Sequence, residues 1–359
     1  MLDALTFVMN LNGSPVPALA EALRATPLTE HLRWLTEADE PALRELLQAR
    51  YGPSYSYRLL YEPGGVTQLW RSGALLSLGE FDARGRLLSH SGLWLHPGRD
   101  SIDSGLSLTR PAHRSALDRA EHLQLWSLLR EALRPHVGFV HQNTSTLHLM
   151  AQRYASRIMR AVPVGLILHY TRGETLIGVE GSGLPMHALV MTTVLSPLPS
   201  RVRYLPEGPW GEWLLSILAG LGLAQTGVFV PILSTKGLEH LAPRPLDWNA
   251  SLRLERRVLG PSDDGLPVSA ALRSPRARVD LLHLPMAEAH LVAEGTALLL
   301  SRGYLPTALR LHLHAPDEIV FQHVEDVEAA REALSQARLA GADARALFTG
   351  WSERCARTS

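Results

Sequence analysis

The chain has 359 residues, with 35 basic and 35 acidic side chains and no net charge, which argues against a dedicated nucleic-acid binder, since that task needs an excess of positive charge. A hydrophobic content of 46% beside a charged content of 19% excludes disorder as the default. The length suits two domains better than one small core, the single cysteine, Cys355, excludes an internal disulfide framework, and no apolar run is long enough to span a bilayer.

Residues 1–30 are weakly patterned and are expected to form an N-terminal extension. They carry no basic leader segment, so a cytoplasmic location is expected. In "EHLRWLTEADEPALRELLQARYG" the run "HLRWL" reads as a strand. Asp39 or Glu40 then caps a helix with Pro41 in its first turn, and Leu43, Leu46 and Leu47 form its apolar face. "ALLSLGEF" and "RLLSHSGLWL" flank "DARG", a hairpin loop with Gly85 near its end. The next strand, "SGLSL", leads into a turn carrying Arg110, His113, Arg114 and Arg119. The helix that follows has Leu125, Leu128, Leu129 and Ala132 on one side. A helix N-terminus that gathers positive side chains suits a pyrophosphate. "GFVHQ" reads as a strand, and "NTST" as the cap of a helix whose stripe is Leu147, Met150, Ala151, Tyr154, Ala155 and Ile158. "VPVGLILHY" and "HALVMTTVL" are strands.

The segment from Arg201 to Ile232 reads as strand, helix, Gly-bearing turn, strand, and the segment from Arg278 to Leu313 reads the same way, with Gly303 at the turn. This repeat predicts two related domains, 31–197 and 198–359, with a boundary near Pro197 to Ser200. "VEDVEAAREALSQARLAGADARAL" reads as an amphipathic helix, with Cys355 beyond it in a frayed tail. His312 and His314 share one side of a strand, but two histidines without a third ligand are a weak metal signal, and no metal is expected. Trp70, Trp94, Trp126, Trp210 and Trp213 line either a wide apolar cleft or the core.

Several segments resemble the tandem-domain members of the GNAT superfamily of N-acyltransferases. "YGPSYSY" followed by "YEP", the hairpin "RSGALLSLGEFDARGRLLSHSGLWL", the helix start "STLHLMAQ" with Thr146, His148 and Gln152, and the closing "RGYLPTALRLHLHAPDEIVFQHV" carry the resemblance. It implies an α/β (α+β) fold of two GNAT-like domains, each a mixed, mostly antiparallel twisted sheet flanked by helices, the second domain being degenerate. It also implies transfer of an acyl group from acyl-CoA, or from the phosphopantetheine arm of an acyl carrier protein, to an amine.

By that resemblance the donor lies in a gap between two strands that splay apart. Leu106, Ser107, Leu108 and Thr109 would expose backbone to the pantetheine arm, and Arg114, Ser115, Ala116, Leu117, Asp118 and Arg119 would cradle the phosphate. The cradle departs from the family in having Ala116 and Asp118 where glycine is usual; a Cβ hinders close backbone approach to phosphate. That departure motivates an alternative, a catalytically inactive acyl-CoA-binding or partner-recruiting module. Asp103 stands about where a carboxylate base is found, or is a solvated turn residue. His90, on the hairpin strand, is a second candidate base or a structural histidine. Tyr154 is placed to protonate the leaving thiolate or to complete the apolar stripe, and His148 to bind donor or acceptor. An apolar, Trp-bearing first domain suggests a larger, fatty acyl chain or a peptide acceptor, as in lipopeptide biosynthesis.

Overall fold

The computed structural model describes residues 16–95, 100–111, 113, 119–147, 149–170, 177, 186–233, 241–249, 252–261 and 272–358. The chain forms two compact units: Met1–Ala161 with Thr171–Met186 and Met191–Pro197, and Val162–Tyr170 with His187–Val190 and Leu198–Ser359.

The first unit runs α1 (Val16–Arg24), β1 (Leu32–Trp34), α2 (Glu40–Tyr51), α3 (Gly65–Arg71), β2 (Leu75–Phe81), β3 (Leu87–Leu95), β4 (Ser101–Thr109), α4 (Arg119–Leu133), β5 (Phe139–Ser145) and α5 (Met150–Arg157). The chain then passes through β6 (Val162–Ile167), counted with the second unit, and β7 (Ala188–Val194), whose later residues return to the first. The sheet order of the first unit is β1-β2-β3-β4-β5-β7. Its pairs from β1 to β4 are antiparallel, and β4 with β5 is parallel.

Side chains alternate across this sheet, so each face has its own core. Leu76, Leu78, Leu93, Leu95, Ile102 and Val140 face α1 and α4, and Leu75, Leu87, Leu106 and Leu108 face α2 and α3. Asp39 is the N-cap of α2, but its side chain does not cap the helix. It holds Arg33 through a two-pronged contact at 2.6 and 2.7 Å instead. Glu40 reaches across to the start of α3, where Gly64 N donates to it at 2.6 Å and Thr67 N at 3.0 Å. The hairpin loop is closed by the Asp82 carboxylate, which accepts from the backbone N–H of Arg84 and Arg86, with Gly85 at φ +75°.

The second unit adds β8 (Arg203–Pro206), α6 (Pro209–Gly220), β9 (Gly227–Val230), β10 (Leu241–Asn249), β11 (Leu254–Pro261), β12 (Val279–Pro285), α7 (Ala289–Ser301), β13 (Tyr304–Arg310), β14 (Glu318–His323), α8 (Val327–Ser335) and α9 (Ala342–Thr358). Its main sheet has the order β6-β13-β14-β12-β11-β10, and β8 and β9 form a separate parallel pair. The fold is therefore mixed α/β, with mostly antiparallel sheets flanked by helices.

Four sequence expectations change here. The two strand–helix–strand segments differ in pairing: β8 lies beside β9, whereas β14 stands between β12 and β13. The terminal amphipathic stretch is two helices broken at Gly341, which has φ +98°. Cys355 is not in a frayed tail; it continues the inward stripe of Leu347, Phe348 and Trp351 on α9, is fully buried, and burial pushes its thiol up to about 12. His312 and His314 follow the end of β13 rather than sharing a strand, and among the described residues no group of three His, Cys, Asp or Glu is placed to hold a metal ion.

Close packing makes one glycine testable. Gly211, in the first turn of α6, lies so near β8 that an added Cβ would sit 1.7 Å from the Pro206 carbonyl oxygen. Backbone cannot yield as a side-chain tip does, so Gly211→Ala is expected to cost about 1–3 kcal/mol, read as a lowered melting temperature by circular dichroism. Among the described residues no helix is long and apolar enough to cross a membrane.

Candidate active site

Two irregularities meet on β4. Against β3 its register shifts: His90 pairs with Leu108 and Gly92 with Gly105, so Leu106 and Ser107 together stand opposite Ser91. This is a β-bulge, a device that bends a strand and re-aims its backbone. Against β5 the parallel ladder covers only Ser101–Ser104 with Phe139–Gln142, although β4 runs on to Thr109 and β5 to Ser145. The two strands therefore part after Ser104 and Gln142. Among the described residues, backbone groups of Gly105–Thr109 that point away from β3 have no ladder partner on β5, and such groups must find other partners.

The bulge is held by a histidine. Leu106 has φ +51°, a left-handed conformation that costs a branched residue of this kind about 1–3 kcal/mol. Its carbonyl oxygen lies 2.7 Å from His90 Nδ1. A carbonyl only accepts, so Nδ1 carries the proton and Nε2 is the bare nitrogen. Nε2 is buried without a hydrogen-bond partner. Desolvation lowers the His90 pKa to about 4, so the ring is neutral near pH 7.

The two faces of the sheet present different chemistry at this point. On the α4 side, Ser107 and Thr109 are exposed, and Ser91 Oγ lies 3.4 Å from Ser107 Oγ. Arg119 opens α4 and is exposed. Tyr154 on α5 sets its ring edge-on to His122 of α4 at 5.6 Å, and desolvation raises its pKa to about 12. Its side chain is partly exposed, and it keeps its proton at neutral pH. Arg110, at the end of β4, is committed to structure: it donates to the Leu87 carbonyl oxygen and to Glu45, both at 2.8 Å. His113 lies 3.6 Å from the buried Glu80.

On the α2 side, Trp94 and Asp103 are cross-strand partners, and Asp103 also pairs with His141 across the parallel ladder. Trp94 stacks on Tyr57 at 5.8 Å, Tyr57 on Tyr55 at 5.7 Å, and Tyr55 meets Tyr51 at 4.6 Å. Tyr61 fixes this segment, its hydroxyl donating to Gly52 O at 2.7 Å and accepting from Tyr55 N at 3.2 Å.

The structure thus brings Asp103, His90, Leu106, Ser107, Leu108 and Thr109 to one stretch of sheet, with Tyr154 on the flanking helix. Arg114, Ser115, Ala116, Leu117, Asp118 and His148 lie outside the described residues. The expected stripe on α5 is corrected: Met150 is 72% exposed, whereas Gln152 is fully buried, donating to Ser145 O at 2.8 Å. Of the two readings of the tryptophans, the core one holds for Trp70, Trp126, Trp210 and Trp213. The aromatic column was not foreseen, although four tyrosines in "YGPSYSYRLLY" are plain in the sequence.

The second unit repeats one part of this arrangement. β11 and β12 pair in parallel over Leu254–Val258 and Val279–His283, and both strands run on past the ladder. Here the following residues are apolar: Leu259 and Leu284 are fully buried, and Gly295 of α7 packs so close that an added Cβ would lie 2.6 Å from Leu284 and 3.3 Å from Leu259.

No family model and no curated protein matches the chain. Among solved structures it is similar to an aminoglycoside 6'-acetyltransferase type Ii, at 11% identity over 47% of this chain and 99% of that one, with a TM-score of 0.32. It is also similar to a ribosomal-protein-alanine N-acetyltransferase from Brucella melitensis, at 16% identity over 45% of this chain and 98% of that one, with a TM-score of 0.34. A third is a GNAT superfamily phosphinothricin acetyltransferase from Sinorhizobium meliloti in complex with acetyl-CoA, at 15% identity over 46% of this chain and 88% of that one, with a TM-score of 0.32. At these identities and TM-scores the matches carry no weight of their own; the bulge and the parted strands do.

Proposed function

We propose that the chain is a GNAT-type N-acyltransferase whose first unit moves an acyl group from a pantetheine thioester to an amine. The observation that carries the reading is the ladder between β4 and β5 that stops at Ser104 and Gln142 beside the bulge at Leu106 and Ser107. Parted parallel strands offer one row of backbone donors and acceptors to an extended amide chain, as an added strand would take them. Pantetheine is such a chain. The bulge is proposed to turn a peptide N–H toward the gap, there to polarise the thioester carbonyl.

In the reaction the amine nitrogen bonds to the carbonyl carbon, the carbon–sulfur bond breaks, the amine's proton passes to a base, and the departing thiolate leaves as the anion and takes a proton from solvent. Asp103 is the group proposed to receive the first proton. Tyr154 is proposed to donate a hydrogen bond to the thiolate; with a pKa of about 12 it steadies that charge rather than surrendering its proton. His90 is proposed as a positioning residue, since its base nitrogen is buried behind the bulge. Arg119, with Arg114–Asp118, is proposed to meet the phosphate end.

Acyl-CoA is the proposed donor, with an acyl carrier protein the other source of the same arm. A fatty acyl chain and a peptide acceptor, as in lipopeptide biosynthesis, are a narrower proposal that draws on Trp94 alone among the five tryptophans. The second unit, proposed as a degenerate GNAT-like domain, has Leu259 and Leu284 where the first has its polar gap, so a single donor site is expected.

Calorimetry with CoA tests donor binding, and thiol release from acetyl-CoA in the presence of amines tests transfer. Stoichiometric binding of one CoA with amine-dependent thiol release is the expected result. Binding without release would convert the protein to an acyl-CoA-binding module, and no binding of CoA or of an acyl carrier protein would overturn the proposal.

A further inference from the structure

We infer that the second unit holds a binding site of its own, on the sheet face opposite α7, and that it takes a small oxyanion with a neighbouring hydroxyl group, a hydroxycarboxylate or a phosphate ester of a polyol. Arg244, Val258 and His283, on the adjacent strands β10, β11 and β12, form it.

Register places the three side by side. Val258 pairs with Arg244 on β10 and with His283 on β12, and the second pair is the last rung of the parallel ladder. Partners across a ladder point to the same face with their Cβ atoms about 5 Å apart, so Arg244 and His283 stand about 10 Å apart across Val258. Leu259 and Leu284, one residue further along each strand, point the other way, where Gly295 of α7 packs against them. The face that carries Val258 is more open: Val258 is half-buried and Arg244 is exposed.

One end of the site is an acceptor in want of a donor. His283 is 2% exposed, and its Nδ1 lies 2.7 Å from the Glu318 carboxylate of β14. A carboxylate only accepts, so Nδ1 carries the proton and Nε2 is bare. Burial holds the ring's pKa below its usual range in spite of Glu318, the positive charges of Arg310 and Arg256 add to the effect, and the imidazole is neutral near pH 7. Nε2 is buried and has no hydrogen-bond partner among the described residues, a state that calls for an explanation in a folded protein. The two nitrogens of an imidazole point in nearly opposite directions. β14 and β11 flank β12 on opposite sides, so a ring that gives Nδ1–H to Glu318 turns Nε2 toward β11 and Val258.

The other end is a cation. The guanidinium of Arg244 lies over Gly260 of β11, where an added Cβ would come within 2.9 Å of Nη2. Gly260 follows Val258 by two positions and shares its face, so the missing side chain seats the guanidinium on the same face as Nε2. A guanidinium takes a carboxylate or a phosphate through paired N–H donors. A plain carboxylate would satisfy Arg244 and leave Nε2 bare. A ligand that also carries a hydroxyl donates it to Nε2 and satisfies both.

Calorimetry on the full chain with two pairs of probes tests this: 3-hydroxypropionate against propionate, and glycerol 3-phosphate against n-propyl phosphate. In one pair the hydroxyl-bearing member is expected to bind at least about fivefold more tightly, and the pair that shows it identifies the oxyanion as carboxylate or phosphate. His283→Phe is expected to abolish the preference by lowering the affinity of the hydroxyl-bearing member. Arg244→Gln is expected to weaken both members of that pair about tenfold. Should His283→Phe fail to fold, nitrogen NMR of the imidazoles in the unaltered chain decides: the bare Nε2 signal is expected to move with the tighter probe and not with its partner, and a signal unmoved by the tighter probe overturns the inference. So does the absence of a hydroxyl preference in both pairs, or a preference untouched by both substitutions. None of these outcomes bears on the acyltransferase reading, which stands or falls on CoA.

Discussion

Replacing His90 with phenylalanine is expected to lower kcat about 100-fold while leaving the affinity for CoA nearly unchanged. The imidazole is not placed to take a proton from substrate. Its Nδ1–H is spent on the Leu106 carbonyl, and its Nε2 is sealed in the core. The Leu106–His90 bond compensates a left-handed leucine that would otherwise relax toward ordinary strand geometry. Relaxation would return Leu106 and Ser107 to the ladder and turn the peptide N–H away from the gap. On the acyltransferase proposal, ground-state binding uses the whole strand and survives, whereas polarisation of the carbonyl depends on that one peptide and does not. His90→Asn separates this role from simple packing. The asparagine side-chain N–H falls near the place of Nδ1 and can donate to the same oxygen, so most of kcat is expected to return although the side chain is smaller. Equal loss in both variants would show that His90 acts by filling space.

The same residue shapes the acid limb of stability. Folding holds His90 neutral with its pKa lowered to about 4, and His187 in the second unit is lowered to about 4 as well. In the unfolded chain each takes a proton near pH 6.5. The unfolded state therefore binds more protons between about pH 6.5 and 4, and stability falls as pH drops through that window. His90→Asn removes one such site and is expected to flatten the limb.

How much of this was legible in the sequence depended on whether the cause was local. The hairpin could be read because Asp82 and Gly85 close it with their own side chain and backbone. The cap of α2 was placed correctly, but Asp39 serves Arg33 instead of the helix, a partner that only the β1–β2 fold supplies. "NTST" looks like a cap, yet Asn143–Ser145 continue β5, and the inward face of α5 is set by Gln152 reaching Ser145 rather than by apolar spacing. The bulge had no local signal at all. Leucine is a poor left-handed residue, and what holds it there is a histidine sixteen positions away. The aromatic column is the reverse case: its tyrosines were visible, but their stacking on Trp94 needed the folded β3.

Replacing Asp317 with alanine is expected to destabilise the second unit by about 3–5 kcal/mol, the cost of stranding a buried charge. Its carboxylate, 1% exposed, takes Arg203 Nε and Arg201 Nη2 at 2.6 Å and the backbone N–H of His312 at 2.7 Å. Arg203 is itself 1% exposed. Its remaining partners, Thr226 Oγ1 and the carbonyls of Arg201 and Pro199, are all neutral. Removing the carboxylate therefore leaves a guanidinium in the core with hydrogen bonds but no counter-charge, and frees the loop that carries His312. Asp317→Asn keeps the shape and one acceptor and is expected to cost less, though more than a surface substitution. The contrast with Arg71–Glu37, an exposed pair at 2.6 Å, isolates burial as the cause: Glu37→Ala is expected to leave stability almost unchanged. Urea unfolding of the three variants ranks them, and a loss for Asp317→Ala no greater than for Glu37→Ala would show that water reaches the Arg203 site. If the second unit serves only to support the first, the Asp317 variants should lose activity at the temperature where they unfold, with kcat unchanged below it.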